Sequence, residues 1–275
     1  MKPVAFEYVE AKSVSHAVEC LDASAGTAKI IAGGQSLGPM LNLRLARPAL
    51  LVDIGRLPEL KQVSSTDDRL VIGAGVTHAE IEDGILVGKE PGLLQAIASR
   101  IAYRAVRNRG TLGGSLSHAD PAADWLLAMT ALDAYVVVQG KNGVRRVPLG
   151  SFMITAFTTV LADDEVVAAV EPRLTSDATR WSHKKIARKV GKFADAAAVV
   201  ILDRKSGFAS VAIGRPDSAP SVFESLAVRL KSSHEPVAVG EVAENIDRVV
   251  GPQDDYDRHI QIAILKDALD EVIAQ

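Results

Sequence analysis

The sequence predicts an α+β fold made of three consecutive units, and three observations support this. Strand-like and helix-like segments alternate over residues 1–57, which is typical of a small parallel sheet with crossover helices. Strand patterns separated by glycine-bearing turns dominate residues 58–170, which indicates a mostly antiparallel sheet. Residues 171–275 hold strand patterns followed by helix-like segments. A chain of 275 residues also exceeds the usual single core.

The first unit reads as strand, helix, strand, helix, strand. Its successive segments are VAFEYVEAKS, SVSHAVECLDAS, KIIAGG, LGPMLNLRLARP and ALLVDIGRL. This order predicts a small parallel βαβαβ arrangement. Gly33 and Gly34 then stand at the C-terminal end of a strand, which is the edge where such sheets bind ligands.

The second and third units mix strands with helices. In the second unit we predict strands in RLVIGAGV, AYVVVQG, GVRRVPLG and EVVAAVEPRL, and helices in THAEIEDGILV, PGLLQAIASRIA and PAADWLLAMTAL. In the third unit we predict strands in ADAAAVVILD and FASVAIG, and helices in SVFESLAVRLK, VGEVAENIDRVVG and YDRHIQIAILKDALDEVIA. The third unit is therefore expected to place helices on an antiparallel sheet.

Composition and charge exclude several classes of function. The net charge is −3 and the basic residues are spread along the chain, so neither nucleic acid nor an anionic membrane is an expected partner. No window approaches eighteen apolar residues and no leader pattern opens the chain, so we expect a cytoplasmic protein without a membrane span. The six histidines are scattered, and no metal site is expected.

The single cysteine limits the redox chemistry that this chain can perform. Cys20 lies in an amphipathic helix pattern, where a packed core thiol is the expected role. An iron–sulfur cluster needs about four thiolates, so this chain alone cannot build one. Redox work in this chain would require an organic cofactor.

Two glycine pairs carry the main functional signal. Glycines before a helix start expose free N–H groups to an anion, so the amides of residues 33–36 are expected to face a phosphate. The run Thr-Leu-Gly-Gly-Ser at 111–115 is expected to repeat this plan, with each pair following an apolar strand and preceding a helix. Neither run is a GxxxxGK[ST] or GxGxxG motif. A diphosphate held by main-chain donors is one interpretation, and two unrelated turns are the other.

Two acids follow the second glycine pair. Asp120 precedes Pro121 and is expected to cap the following helix with proline at its first position. Asp124 has no capping role and is a candidate to accept hydrogen bonds from sugar or ribityl hydroxyls. A solvated position on the helix face is the alternative.

The residues around both glycine pairs resemble a known family. AGGQSLGPMLNLRLARP with LLVDI, and RNRGTLGGSLSHADPAAD, resemble the two FAD-binding signatures of the medium, flavin-carrying subunit of molybdenum hydroxylases, the xanthine dehydrogenase and carbon monoxide dehydrogenase family. IGAGVTHAEI and KKIARKVGKFADAAAVV lie where that family has similar stretches. The resemblance implies an FAD-binding fold of the vanillyl-alcohol-oxidase (PCMH-like) type in two subdomains, followed by a C-terminal α+β domain.

The resemblance also implies a set of FAD-binding residues. Ile101 matches a position that packs against the cofactor, and Asp124 matches an acid that hydrogen-bonds it. Lys184 or Lys185 matches a lysine near the isoalloxazine, and His183 stands where some relatives carry a tyrosine over the flavin. The implied pyrophosphate contacts are Ala32, Gly33, Gly34, Gln35, Ser36, Thr111, Gly113, Gly114 and Ser115.

Besides His183, two further departures from the family pattern accompany this match. Asn42 replaces a lysine that many relatives carry in the first signature, and Ser115 replaces an asparagine in the second. Ser115 keeps a polar donor and acceptor, so that change is mild.

The resemblance further implies that the chain is an electron-transfer subunit in a larger complex. A large molybdopterin subunit would oxidise the substrate, a small [2Fe–2S] subunit would relay electrons, and FAD in this chain would pass them to an external acceptor. The expected assembly is a dimer of heterotrimers, and no side chain of this subunit is expected to be catalytic. The alternatives are a self-contained FAD-dependent oxidase of the same broad fold and a scaffold that has lost the cofactor.

Overall fold

Three larger sheets, each made by a consecutive part of the chain, organise the molecule. The structure, a computed structural model, describes residues 2–86, 92–189 and 191–275. Val87 and Pro91, at the ends of two predicted helices, and Val190, in the stretch after Lys185, lie outside the described residues. No helix in the described part of the chain is long and apolar enough to cross a membrane.

The first unit has the predicted parallel arrangement. Its elements are β1 (Glu7–Glu10), α1 (Val14–Ala23), β2 (Ala28–Ile31), α2 (Leu37–Asn42) and β3 (Leu50–Asp53). β3 lies between β1 and β2, and both pairings are parallel. Ser13 caps the start of helix α1, and its side chain accepts a hydrogen bond from the amide of His16. The prediction of a βαβαβ unit is confirmed.

The second unit contains seven strands and five helices among the described residues. The strands are β4 (Val63–Ser65), β5 (Leu70–Gly73), β6 (Tyr135–Gly140), β7 (Gly143–Pro148), β8 (Met153–Thr155), β9 (Thr158–Thr159) and β10 (Val166–Glu171). The helices are α3 (His78–Glu82), α4 (Leu93–Ser99), α5 (Arg104–Arg107), α6 (Leu112–His118) and α7 (Asp124–Ala131). Five strands form one antiparallel sheet in the order β4-β5-β10-β6-β7. The predicted antiparallel sheet is confirmed.

The third unit is an antiparallel sheet with helices, as expected, but it has two more strands than predicted. Its elements are β11 (Arg180–Ile186), β12 (Ala196–Asp203), β13 (Phe208–Arg215), β14 (Ser218–Val222), α8 (Glu224–Ser232), α9 (Val239–Val250) and α10 (Asp255–Ala274). The sheet order is β11-β12-β13-β14. The sequence pattern does not predict β11 because RWSHKKI has little apolar character, and it places the end of β14 in the following helix.

Strand β12 connects the two hydrophobic cores, and every residue in it is buried. Ala197, Val199 and Ile201 belong to a core shared with the first two units. Ala198 and Val200 belong to a second core formed with α8, α9 and α10. Because successive side chains of a strand point to opposite faces, the third sheet separates the two cores. The proposed unit boundaries at residues 57 and 170 stay predictions.

Asp203 at the end of β12 is a buried carboxylate whose hydrogen bonds come from nearby turns. Its oxygens accept bonds from the amide and hydroxyl of Ser176, both at 2.8 Å, and from the amides of Lys205 and Ser206 at 3.0 and 3.2 Å. Burial acts to raise the pKa of Asp203, but the bonds from Ser176 and Ser206 outweigh it and hold the pKa at about 2.

Replacing Asp203 with asparagine is expected to lower the free energy of unfolding by about 2 kcal/mol at neutral pH. A carboxylate whose pKa is depressed on folding stabilises the protein above its unfolded pKa. The difference in unfolding free energy between the variant and wild type should therefore become smaller as the pH falls from ~4 towards ~2. Urea unfolding of both proteins across this pH range measures this difference. Asp177→Asn, at an exposed pair with Lys205, should change little, and an equal loss in both variants would contradict the assignment.

Candidate functional site

The first glycine loop, residues 32–36, connects β2 to α2 and carries unpaired main-chain donors. Gly34 has a φ of 71°, which a glycine adopts without strain. The amides of Gly33, Gly34, Gln35 and Ser36 donate to no acceptor in the described part of the chain. Successive N–H groups that are free at one turn form a binding site for an anion.

The second glycine pair lies inside a helix. Gly113 and Gly114 occupy the first turn of α6, which begins after Thr111. The element before this loop is helix α5. The prediction that both pairs follow an apolar strand is therefore wrong for the second pair, because the chain reaches it from a short helix and a turn.

Most amides of the second glycine loop, residues 109–115, donate within the chain. Gly113 donates to the carbonyl of Ala74 at 2.9 Å. Gly114 and Ser115 donate to the hydroxyl and carbonyl of Thr111 at 3.1 and 3.0 Å. The expectation that residues 111–115 repeat the donor arrangement of the first loop is wrong, because an antiparallel bridge and a helix cap use these groups. The Thr111 amide has no acceptor among the described residues.

Glycine allows the two loops to touch. A Cβ on Gly33 would lie 1.9 Å from the carbonyl oxygen of Arg109 and 2.9 Å from the Cα of Gly110. The Arg109 Nε also donates to the Gly33 carbonyl at 3.3 Å. Gly113 packs in the same way, since its Cβ would lie 2.4 Å from the Cβ of Ala74. The loops therefore adjoin each other at one junction.

A buried histidine and tryptophan, which the sequence analysis did not identify, lie behind this junction. The indole Nε1 of Trp125 donates to Nδ1 of His78 at 2.9 Å, and the two side chains are 1% and 6% exposed. Burial and the charge of Arg107 lower the pKa of His78 to about 4, so its ring is neutral near pH 7. The residues are 47 positions apart, and no sequence motif connects them.

Asp124 forms a buried ion pair at the first position of α7. Its carboxylate is 2.8 and 3.0 Å from the ammonium of Lys185, and the residue is 8% exposed. Burial raises the pKa of Asp124, and the ammonium of Lys185 opposes this effect. The alternative of a solvated Asp124 is therefore wrong, because α7 packs against β12 and β13 and the Lys185 side chain from β11 reaches the carboxylate.

The alternation of β11 separates the two lysines that the sequence left undecided. Lys185 points to the face that carries Asp124. Lys184 points to the opposite face, where its ammonium lies 2.9 Å from Glu271 and 3.0 Å from Asp267 of α10. Residues one apart on a strand face opposite sides of the sheet. Lys185 is therefore the lysine that shares a site with Asp124.

His183 shares the face of Lys185 and is buried without a hydrogen-bonding partner. Its Nε2 lies 3.8 Å from the nearer oxygen of Asp124, and neither ring nitrogen makes a hydrogen bond among the described residues. Burial, with the charges of Arg100 and Lys185, lowers the pKa of His183 to about 3. The ring is thus a neutral group beside the Asp124–Lys185 pair.

The remaining predicted site residues lie near these features. Ile101 is half-buried against the first core, and its carbonyl accepts a bond from Arg107 at 3.0 Å. Asp120 does not cap a helix. Its carboxylate accepts from the amide of Ala122 at 3.0 Å, because residues 120–123 form a turn and α7 begins only at Asp124. No group of three or more potential ligands that could hold a metal occurs in the described residues.

The arrangement fits a dinucleotide cofactor. The first loop offers four free amides and no lysine, which suits a diphosphate bound by main-chain groups. The close approach at Gly33 keeps side chains out of the junction. A second polar group, the Asp124–Lys185 pair with His183, lies where α7 meets β11.

Comparison with known proteins identifies the cofactor. Residues 4–172 match the family described as FAD binding domain in molybdopterin dehydrogenase. The chain is 40% identical over 207 residues to the 6-hydroxypseudooxynicotine dehydrogenase complex subunit alpha of Paenarthrobacter nicotinovorans, covering 74% of this chain and 70% of the relative. It is 38% identical over 207 residues to the carbon monoxide dehydrogenase medium chain of Hydrogenophaga pseudoflava, covering 75% and 72%.

Solved structures agree over the full length. A carbon monoxide dehydrogenase from Hydrogenophaga pseudoflava superposes with a TM-score of 0.88 at 30% identity, covering 100% of this chain and 99% of the other. A quinoline 2-oxidoreductase from Pseudomonas putida 86 gives a TM-score of 0.84 at 31% identity, covering 100% and 97%. The expected fold and FAD are confirmed. The chain therefore belongs to the family of FAD-binding domains in molybdopterin dehydrogenases and is an FAD-binding oxidoreductase subunit of the molybdenum hydroxylase type.

Proposed function

We propose that this chain takes electrons from [2Fe–2S] clusters of a partner subunit and passes them to an external acceptor. The observation that carries the proposal is the similarity to proteins named as medium chains or subunits of dehydrogenase complexes. The chain's only cysteine, Cys20, contacts His16 at 3.6 Å within one helix, and a cluster needs about four thiolates. The iron–sulfur relay therefore belongs to another chain.

The chain's own contribution is to bind and orient the cofactor, while bound FAD supplies the redox chemistry. At the phosphate end, the free amides of residues 33–36 and of Thr111 would donate to the pyrophosphate. Ala32 precedes these donors, and the exposed Gly114 leaves the start of α6 without a side chain. Gly113 would act through packing, because its amide already donates to Ala74.

At the ring end, we assign the lysine near the isoalloxazine to Lys185. It pairs with Asp124, whereas Lys184 pairs with α10 on the opposite side of the sheet. Asp124 would accept a hydrogen bond from the cofactor, and Ile101 would contact its apolar part. His183 is too buried to cover a flavin from the solvent side, so it would act on the ring environment through Asp124.

The proposed partners follow from the same similarity. A small [2Fe–2S] subunit would deliver electrons, and a large molybdopterin subunit would oxidise the substrate, in a dimer of heterotrimers. Carbon monoxide, purines, aldehydes and N-heterocycles are all candidate substrates, because the substrate pocket would lie on the large subunit. A self-contained FAD-dependent oxidase is the competing function.

Purification of the untagged protein from its native host tests the proposal. We expect one FAD per chain, with iron and molybdenum in two co-eluting subunits. Substrates from the four candidate classes are then screened for bleaching of the flavin. Removal of FAD from the active complex should leave substrate-dependent reduction of the clusters intact and abolish reduction of an added dye, and added FAD should restore it. A lone yellow chain whose flavin is bleached directly by a small organic donor would replace the proposal with the oxidase function.

A further inference from the structure

The buried pair of His78 and Trp125 connects the two ends of the FAD site. Trp125 follows Asp124 on α7, so it is adjacent in sequence to the acid that pairs with Lys185. His78 is the first residue of α3 and lies against the second glycine loop. Its backbone amide donates a hydrogen bond to the carbonyl of Gly110 in that loop at 2.9 Å. The indole–imidazole bond thus joins the helix of the ring end to the loop of the phosphate end.

Gly110 is held between two groups. On one side, its Cα lies 2.9 Å from the position that a Gly33 Cβ would occupy. On the other side, a Cβ on Gly110 itself would lie 2.7 Å from Nε2 and 2.8 Å from Cδ2 of His78. Gly33 therefore contacts Gly110, Gly110 contacts His78, and His78 contacts Trp125. A displacement of the imidazole would move Gly110 and, through it, the junction of the loops.

The hydrogen bond fixes the proton of the imidazole. Because Trp125 can only donate, Nδ1 of His78 must accept, and the proton lies on Nε2. Nε2 donates to no group among the described residues and faces the Gly110 side of the ring. Loss of the indole donor would leave a buried nitrogen unsatisfied and would free the ring to change tautomer or orientation.

We propose that His78, held in one tautomer by Trp125, is a cofactor-positioning residue that sets the spacing of the two glycine loops. This inference rests on the proposed role of these loops in binding the pyrophosphate of FAD. The pair acts through the backbone of Gly110 rather than as a catalytic group. It would keep the amides of residues 33–36 at a fixed distance from the Asp124–Lys185 pair.

A double-mutant cycle on the full-length chain tests the proposal. His78→Phe keeps a ring against Gly110 but removes the acceptor, and Trp125→Phe removes the donor. Each single variant, stripped of flavin and titrated with FAD, should bind at least ~10-fold more weakly than wild type. The double variant should recover much of the affinity, because removing both polar partners leaves no unsatisfied group. Wild-type affinity in both single variants would overturn the proposal.

A control and a spectroscopic measurement separate positioning from general stability. Asn245 is buried in the second core, where it accepts a bond from Ser225 at 2.5 Å, so Asn245→Ala should lower the melting temperature without changing FAD affinity. In 15N-labelled wild type, His78 should appear as the Nε2–H tautomer, and its signal and the Trp125 indole signal should shift when FAD is added. A fall in affinity for Asn245→Ala equal to that of the single variants, or silent His78 signals, would contradict the positioning role. Failure of wild type to bind FAD at all would instead count against the cofactor site itself.

Discussion

Replacing Gly33 with alanine is expected to weaken the binding of FAD strongly. The added Cβ would lie 1.9 Å from the backbone oxygen of Arg109, and a backbone group cannot rotate away as a flexible side chain can. The two loops must separate, and the amides of residues 33–36 then lose their common direction. Loss of two hydrogen bonds to a charged group costs about 3 kcal/mol, which corresponds to a ~100-fold rise in Kd. Fluorescence titration with FAD measures this change.

Gly38→Ala is the matched control for this prediction. Gly38 is also part of the segment after β2, but a Cβ at this position meets nothing within 4 Å. Because it lies inside α2, alanine should stabilise the helix by about 0.5–1 kcal/mol and leave FAD affinity unchanged. Circular dichroism should show that both variants keep the wild-type fold. Tight FAD binding by Gly33→Ala would refute the role of the loop junction.

Lys185→Met is expected to cause the largest loss of stability, about 3–5 kcal/mol near pH 7. The substitution removes the ammonium that lies 2.8 Å from Asp124 and leaves a buried carboxylate without a counterion. Lys184→Met removes an ammonium whose partners on α10 are 46% and 66% exposed, so it should cost less than about 1 kcal/mol. Urea unfolding measures the free energy of unfolding of both variants, and the loss should be larger for Lys185→Met than for Lys184→Met.

The pH dependence of the Lys185→Met variant identifies the cause of its instability. Burial already raises the pKa of Asp124 in wild type, and without Lys185 nothing of comparable strength opposes that effect. A carboxyl group whose pKa is raised on folding stabilises the protein below its unfolded pKa and loses this stabilisation as pH rises. The loss of unfolding free energy in the variant, relative to wild type, should therefore become smaller as the pH falls towards ~4.

A second substitution should rescue the Lys185→Met variant. In Lys185→Met with Asp124→Leu, both charges are gone, and most of the lost stability should return, since apolar residues often replace a buried ion pair without cost. FAD affinity should stay low in the double variant, because Asp124 is proposed to bind the cofactor. A deficit that is independent of pH and unchanged by Asp124→Leu would point to lost packing of the lysine stem rather than to the charge.

Local patterns were sufficient to predict most of the fold. Alternation and glycine-bearing turns predicted the parallel sheet, the antiparallel sheet and the helices of the third unit. Strand β11 escaped because its polar residues are buried through tertiary pairing: Lys185 meets Asp124, and Ser182 meets Glu271 across 89 residues. No local pattern records such partners. Asp120 followed by proline predicts a helix cap because Asp-Pro is a typical helix start, and the turn that precedes α7 has the same local signature.

The candidate site was predictable only in part. The free amides of the first glycine loop could be predicted because a glycine pair next to a strand end is a local pattern. The second glycine pair has a similar sequence, but the amide of Gly113 donates a hydrogen bond to the carbonyl of Ala74. That contact depends on the tertiary fold and has no local sequence pattern. The pairing of His78 with Trp125 depends on it in the same way. Glycine thus permits close packing at Gly33 and at Gly113, while the amides of residues 33–36 have no acceptor in the described part of the chain.

The strict alternation of β11 has a consequence for how this chain can change in length. Lys184 contacts α10 and Lys185 contacts α7, so an insertion or deletion of one residue within the strand would exchange the two side chains and place the wrong one beside Asp124. Two-residue changes would preserve the side that each lysine faces. Indels among descendants of this sequence should therefore occur in even numbers inside the strand, or be displaced to the turns that flank it.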